Sequence, residues 1–176
     1  MNQKDTRVIR SRNALKAAMV RLLKAKQFSK IKISEICTAA GLNRSTFYSS
    51  YGNTEELLED VYKDQCQKLE ETVSLCPTYF ECSKEERVTY IKSILEFYTQ
   101  NMEITLVLLD SGEDNRYIRY STNYFLERYG YNKADFLTAG YFLYHTMGGF
   151  SLIYAWLKAE KPCDIEELAQ LIADMP

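Results

Sequence analysis

Hydrogen-bond donors crowd one short stretch of the sequence, residues 44–50. It begins with one full positive charge, Arg44, and every later position except the apolar Phe47 carries a hydroxyl group. No acidic residue occurs between Glu35 and Glu55. Guanidinium and hydroxyl groups that are free of nearby carboxylates suit contact with phosphate oxygens and base edges. The stretch therefore indicates a surface that binds a polyanion.

The charge of the chain is unevenly divided. Residues 1–50 hold eleven Lys or Arg and two acids, a net charge of +9, whereas residues 51–176 hold eleven basic residues and twenty-two acids, a net charge of −11. A basic head on an acidic body predicts a polyanionic partner for the head alone. The alternative, a charged surface that is merely solvated, stays open on charge alone.

The residue types that catalysis needs are sparse. There is no Gly-rich phosphate loop, and the single histidine, His145, gives a Ser or Cys nucleophile no choice of base. The five cysteines form no CxxC pair, so no zinc spacing is present. We therefore expect no catalytic site, no metal site and no cofactor. No apolar segment suits a signal peptide or membrane span, so we expect a cytoplasmic protein with reduced thiols and no membrane partner.

Apolar residues at three- and four-residue spacing predict an all-α chain. Only seven Gly and three Pro interrupt it. We expect a three-helix head at residues 1–52 and a helical bundle for regulation and dimerisation at residues 53–176. The expected helices of the head and of the segment after it are 6–26, a short helix capped by Ser34, 44–50 and 53–75. Those of the body are 84–101, 103–109, 114–129, 133–160 and 164–173.

A three-residue turn, Gly41-Leu42-Asn43, joins two short predicted helices. Gly41 suits the left-handed conformation that ends a helix, and Asn43 can cap the next one. Phe47 is the inward anchor of that second helix, whose outer face is polar. This is the geometry of a helix-turn-helix, whose second helix enters the major groove of duplex DNA.

The stretch Ile31–Tyr48, continued by Tyr51 and residues 54–58, resembles the DNA-binding head of the TetR/AcrR family. The resemblance covers residues 6–60. It implies a homodimer bound to a palindromic operator in double-stranded DNA, usually a repressor released by a small-molecule effector. The side chains that it implies at the DNA are Lys32, Ser34, Asn43, Arg44, Ser45, Thr46, Tyr48, Ser49, Ser50 and Thr54.

Within this set, the resemblance assigns phosphate contacts to Ser34 and Tyr48. Two positions depart from the family's pattern. Thr54 stands where the family often has a lysine that pairs with phosphate, so only a hydroxyl and the helix N-terminus are available there. Cys37 stands where a small alanine is usual, and we expect it to pack as a small hydrophobe.

Residues 141–149, 155–157 and 164–169 resemble the body of TetR-type regulators of dihydroxyacetone kinase operons. Some such regulators act with a protein co-regulator, so a small-molecule effector and a protein partner are both open. A helical adaptor that binds only protein, without DNA specificity, is a further alternative that the basic head disfavours. The effector pocket itself cannot be assigned from sequence.

The last two helices are predicted to form the dimer interface as a four-helix bundle with their symmetry mates. Small residues such as Gly148 would let a partner helix come close, although a kink of Gly148-Gly149 beside a pocket is an equal alternative. The abundant tyrosines of the body fit a ligand cavity or, for most of them, core and interface packing. The expected interface residues are Tyr141, Tyr144, His145, Gly148, Leu152, Ala155, Ile165, Leu168 and Ile172.

Overall fold

Nine α-helices make up the described part of the chain, residues 3–73, 82–111 and 115–175 of a computed structural model, and no strand occurs in these ranges. None of the helices there has both the length and the apolar character that a membrane span needs. The first five helices are α1 (Gln3–Leu23), α2 (Ile33–Ala40), α3 (Arg44–Tyr48), α4 (Thr54–Thr72) and α5 (Lys84–Gln100). The others are α6 (Met102–Asp110), α7 (Arg116–Arg128), α8 (Phe136–Lys158) and α9 (Ile165–Asp174).

Polar side chains cap the N-termini of two body helices, where the backbone N–H groups lack partners within the helix. Before α5, the Ser83 N–H donates to the Glu86 carboxylate at 2.8 Å, and the Glu86 N–H donates to Ser83 Oγ at 3.2 Å. Asp164 and Glu167 repeat this reciprocal cap before α9. Such capping boxes satisfy free donors that the first helical turn cannot. Local sequence therefore fixes where both helices begin.

The core of the head is formed by α1, α2, α3 and the first half of α4. Leu15, Met19, Phe47 and Leu57 are all fully buried in it. The body also contributes to this core, through residues of α6 and α7. The division of the chain after residue 52 stays a prediction, and packing continues across it because α4 completes the head.

A second core lies within the body. Helix α9 packs along α5, and α8 packs against α7. Leu95, Leu157 and Ala169 are fully buried at the centre of this arrangement. The expected all-α fold with a helical body is confirmed.

Some local expectations differ from the structure. Helix α1 spans Gln3–Leu23, shifted three residues towards the N-terminus from the prediction. Helix α8 begins at Phe136, not near Lys133, because Asp135 caps it and Tyr131–Lys133 form a separate 3₁₀ turn. Cys82 takes part in a disulfide, so the expectation of uniformly reduced thiols is wrong there. Residues 74–81, into which α4 was predicted to extend, lie outside the described ranges.

Candidate nucleic-acid interface

The turn between α2 and α3 has the predicted geometry. Gly41 ends α2 in the left-handed conformation, with φ of 66°, and the Leu42 N–H donates to the Cys37 carbonyl at 2.9 Å. A side chain at Gly41 would be strained by this φ. Asn43 then caps α3, because its Oδ1 accepts from the Thr46 N–H at 2.9 Å. The turn thus fixes the direction in which α3 leaves α2.

Phe47 holds α3 on the head. It is fully buried, and its ring meets the edge of the Tyr48 ring at a centroid distance of 5.6 Å. Tyr48 lies on the outer side and is 58% exposed. Arg44, at the first position of α3, is exposed as well. One guanidinium and one phenol are therefore presented outward by a helix that is anchored from within.

Other hydroxyls expected at the interface already donate inside the head. Ser45 Oγ and Thr46 Oγ1 both donate to Asn43 Oδ1, at 2.7 and 2.8 Å. Ser49 Oγ donates to the Thr46 carbonyl at 2.8 Å. Asn43 therefore acts as an organising acceptor of the turn, and these three hydroxyls would have to reorient before donating to phosphate. Ser50 is half-buried at the end of the same segment.

The start of α2 corrects one expectation. The N-cap is Lys32, not Ser34, because the Glu35 carboxylate accepts the Lys32 N–H at 3.0 Å. Glu35 is itself held by Lys26, whose Nζ lies 2.5 Å from its Oε1. These two contacts, led by the Lys26 ammonium, lower the pKa of Glu35. Ser34 lies in the first turn, half-buried, and its phosphate contact remains a prediction.

Thr54 is the first residue of α4, as the resemblance requires. Its hydroxyl donates to the Glu55 carboxylate at 3.1 Å, so it has an intramolecular partner. Glu56 is also close, and its carboxylate accepts the Gly52 N–H at 2.7 Å. Two carboxylates beside Thr54 make this helix start less favourable for phosphate than the lysine that the family often has there.

A polar cluster that the sequence analysis did not predict links α1 to α4, close to the end of α3. The Tyr51 hydroxyl donates to Asp60 Oδ2 at 2.7 Å, and Arg12 Nη2 lies 3.1 Å from the same oxygen. Lys16 Nζ bridges Asp60 and Asp64, at 3.5 and 2.5 Å. Burial opposes ionisation of Asp60, but the hydrogen bonds from Tyr51 and Arg12 outweigh it and lower the pKa of Asp60. The cluster therefore favours the charged carboxylate and fixes the position of α1.

The outer face of α8 carries four of the nine residues expected at the dimer interface. Tyr141 and Tyr144 are 47% and 60% exposed, and Leu137, on the same face, is 79% exposed. Gly148 and Ala155 are also exposed. These residues form an apolar stripe that is exposed along one side of α8.

Part of the predicted interface set lies inside the subunit instead. Leu168 and Ile172 are only 4% and 7% exposed, because this side of α9 packs on the body core. Leu152 and Ile165 are partly buried against the same core. Leu168 and Ile172 therefore offer little surface to a partner, the rest of the interface set stays a prediction, and the large apolar residue that α9 exposes is Leu171.

A cavity of about 150 Å³ lies within the body, between α4, α5, α7, α8 and α9. His145 lines this cavity, so its side chain faces the interior of the body and not the surface that was predicted to form the interface. Gly149 also lines it, whereas Gly148 is on the exposed side, which separates the roles of the two glycines. Tyr90, Tyr98, Tyr129 and Tyr131 are further lining residues. The ligand-cavity interpretation therefore suits these four tyrosines, whereas Tyr117, Tyr120 and Tyr124 pack in the cores.

Comparison with known proteins agrees with the geometry of the head. Residues 15–61 match the model of the bacterial regulatory proteins of the tetR family. Over these residues the head has the sequence pattern of that family. A curated relative, the uncharacterized HTH-type transcriptional regulator YxbF of Bacillus subtilis (strain 168), is 35% identical over 92 residues. The match includes 51% of this chain and 24% of YxbF, so the chain spans about a quarter of that relative's length.

Solved structures of two other regulators resemble the fold over most of the chain. The fatty acid degradation regulator FadR from Bacillus halodurans superposes with a TM-score of 0.64 at 15% identity, covering 93% of this chain and 92% of that one. The dihydroxyacetone kinase operon activator DhaS gives 0.53 at 16% identity, covering 92% and 91%. At these identities the likeness shows a common fold, including the helical body, and nothing of ligand or target.

Proposed function

We propose that this TetR-family protein is a homodimeric regulator that binds a palindromic operator through α3. The observation that carries the proposal is the helix itself: Phe47 anchors it from inside while Arg44 and Tyr48 extend outward from a head of net charge +9. Such a helix can read base edges in the major groove, and the surrounding positive charge attracts phosphate.

The dimer is supported by the exposed stripe of α8. Monomeric proteins rarely expose contiguous apolar surface of this kind, and a two-fold axis would bury one stripe against another. Leu137, Tyr141 and Tyr144 supply bulk, and Gly148 allows close approach of the helices. Two heads held in this way would reach successive major grooves, about 34 Å apart.

Release from DNA by a small molecule is supported by the position of the cavity. Phe150 lines the cavity and contacts the Tyr117 ring at a centroid distance of 6.4 Å. Tyr117 in turn meets Tyr62 of α4 at 5.1 Å, and both tyrosines belong to the core of the head. A ligand that moves Phe150 would therefore press on the helix that links head and body. Repression relieved by an effector is the simplest outcome of this coupling.

DNA binding is tested with operator fragments recovered from genomic DNA and measured by fluorescence anisotropy across a salt series. Counterion release should make log K fall linearly with log salt. Arg44→Ala should lower affinity for the recovered fragment, whereas Arg119→Ala, which removes an exposed arginine of the body, should not. Affinity that is independent of salt, or equal losses in the two variants, would contradict the proposal.

A further inference from the structure

The cavity in the body is small and has a mainly apolar wall. Its volume is about 150 Å³, and it is partly open to solvent. Ile94, Phe125, Phe142 and Ile153 form much of its surface. Apolar cavities of about this volume accommodate a molecule of the size of benzene. The wall therefore selects a ligand with a single ring or an equally small apolar body.

The charges around the cavity disfavour an ionic ligand. Among the described residues that line it there is no Lys or Arg, and the carboxylate of Glu70 is the one acidic group. Both Glu70 oxygens are already engaged, with Arg128 Nε at 2.5 Å and the Tyr124 hydroxyl at 3.1 Å. A bound anion would lose its hydration without gaining a cation, which is strongly unfavourable. A bound cation would have to displace Arg128 or Tyr124 from Glu70.

One polar group in the wall lacks a partner. The hydroxyl of Tyr129 is buried, and no hydrogen bond to it occurs within the described part of the chain. The Tyr129 ring is held by stacking on Phe125, with centroids 5.8 Å apart and planes 11° apart. Burial raises the pKa of Tyr129, so the group remains a neutral O–H donor. Buried donors are normally satisfied, which makes this hydroxyl a marker for an acceptor atom of a ligand.

We propose that the cavity binds an uncharged, ring-sized molecule whose single oxygen accepts a hydrogen bond from Tyr129. Simple phenols represent this class. The inference rests on the proposed release of DNA by a small molecule, and it names the chemistry of that molecule. The apolar wall holds the ring, and the hydroxyl of Tyr129 selects for the oxygen.

The test is calorimetric titration of the full chain with four probes at pH 7: phenol, benzene, benzoate and benzylammonium. Phenol should bind, and the two ions should bind at least tenfold more weakly. Tyr129→Phe should weaken phenol binding roughly three- to tenfold, the scale of one hydrogen bond, and should leave benzene binding unchanged. Tyr154→Phe is the matched control, because its hydroxyl bonds Asp110 and does not line the cavity.

A second variant, Ile94→Trp, fills the cavity and should abolish phenol binding while circular dichroism shows an intact helical fold. Benzoate binding as tightly as phenol, no phenol binding at all, or equal affinity in wild type and Tyr129→Phe would each overturn the inference. Operator binding is measured separately. Phenol that binds as expected but leaves the operator complex intact would refute release by a small molecule and uphold the ligand class.

Discussion

Replacing Gly148 by leucine should dissociate the proposed dimer without unfolding its subunits. No heavy atom lies within 4 Å of a Cβ built at Gly148, so leucine fits within the subunit. In a helix it is preferred over glycine by roughly 0.5–1 kcal/mol, so the single subunit should become slightly more stable. At a close helix contact, overpacking costs about 1–3 kcal/mol. Because a two-fold interface contains the residue twice, the dimer should lose about 2–6 kcal/mol.

These energies correspond to a dimer Kd that is weaker by about 30-fold to more than 10,000-fold. Sedimentation velocity over a concentration series measures this change directly. Gly148→Ala is the matched control, because it gives a similar gain in helix propensity with far less bulk, and it should remain dimeric. If Gly148→Leu stays helical and dimerises with unchanged Kd, the stripe on α8 does not form the interface and the reasoning from its exposure is wrong.

Three further perturbations follow from the head and the cavity. Tyr48→Phe should weaken operator binding by about 1–2 kcal/mol, the scale of a hydrogen bond to a charged group, with unchanged circular dichroism. Tyr51→Phe should lower the free energy of unfolding by about 1–3 kcal/mol, because Asp60 loses a donor; urea denaturation with an unchanged midpoint would contradict this. Burial, followed by the charge of Arg87, lowers the pKa of His145. The folded state therefore binds this proton less tightly than the unfolded state, and stability should fall as pH drops below about 6.5. His145→Gln should flatten that part of the pH profile, and parallel wild-type and variant curves between pH 7 and 5.5 would argue against it.

The head could be read largely from the sequence, because its determinants are local. Gly41, Asn43 and Phe47 specify a turn, a cap and an anchor through contacts that span a few residues. The cluster around Asp60 depends on residues 39 and 48 positions apart. Its one sequence signal is complementary spacing, since Arg12 and Lys16 are four residues apart, as are Asp60 and Asp64. That pattern predicts neighbouring charged faces only after α1 and α4 are known to pack together.

The body was harder to predict, for a physical reason. An apolar stripe on a terminal helix has the same pattern whether it packs on its own subunit or on a partner. Leu168 and Ile172 pack within the core of the body, whereas Tyr141 and Tyr144 are exposed to solvent. The cavity has no sequence signature at all, because Tyr129, at the end of α7, is brought against His145 and Gly149 of α8. Distances between them depend on how α7 and α8 cross.

Residues of the body form part of the core of the head. Leu108 of α6 and Tyr117 of α7 are almost fully buried among head residues. Arg116 lies over the Phe28 ring at 5.4 Å, and Lys24 pairs with Glu103 at 2.5 Å. If the head alone were transferred to another regulator, its core would therefore lack the side chains that α6 and α7 contribute. Working chimeras should need the matching surface of α6 and α7 from the donor, so new operator specificities are more readily obtained by substituting residues on α3 than by exchanging whole heads.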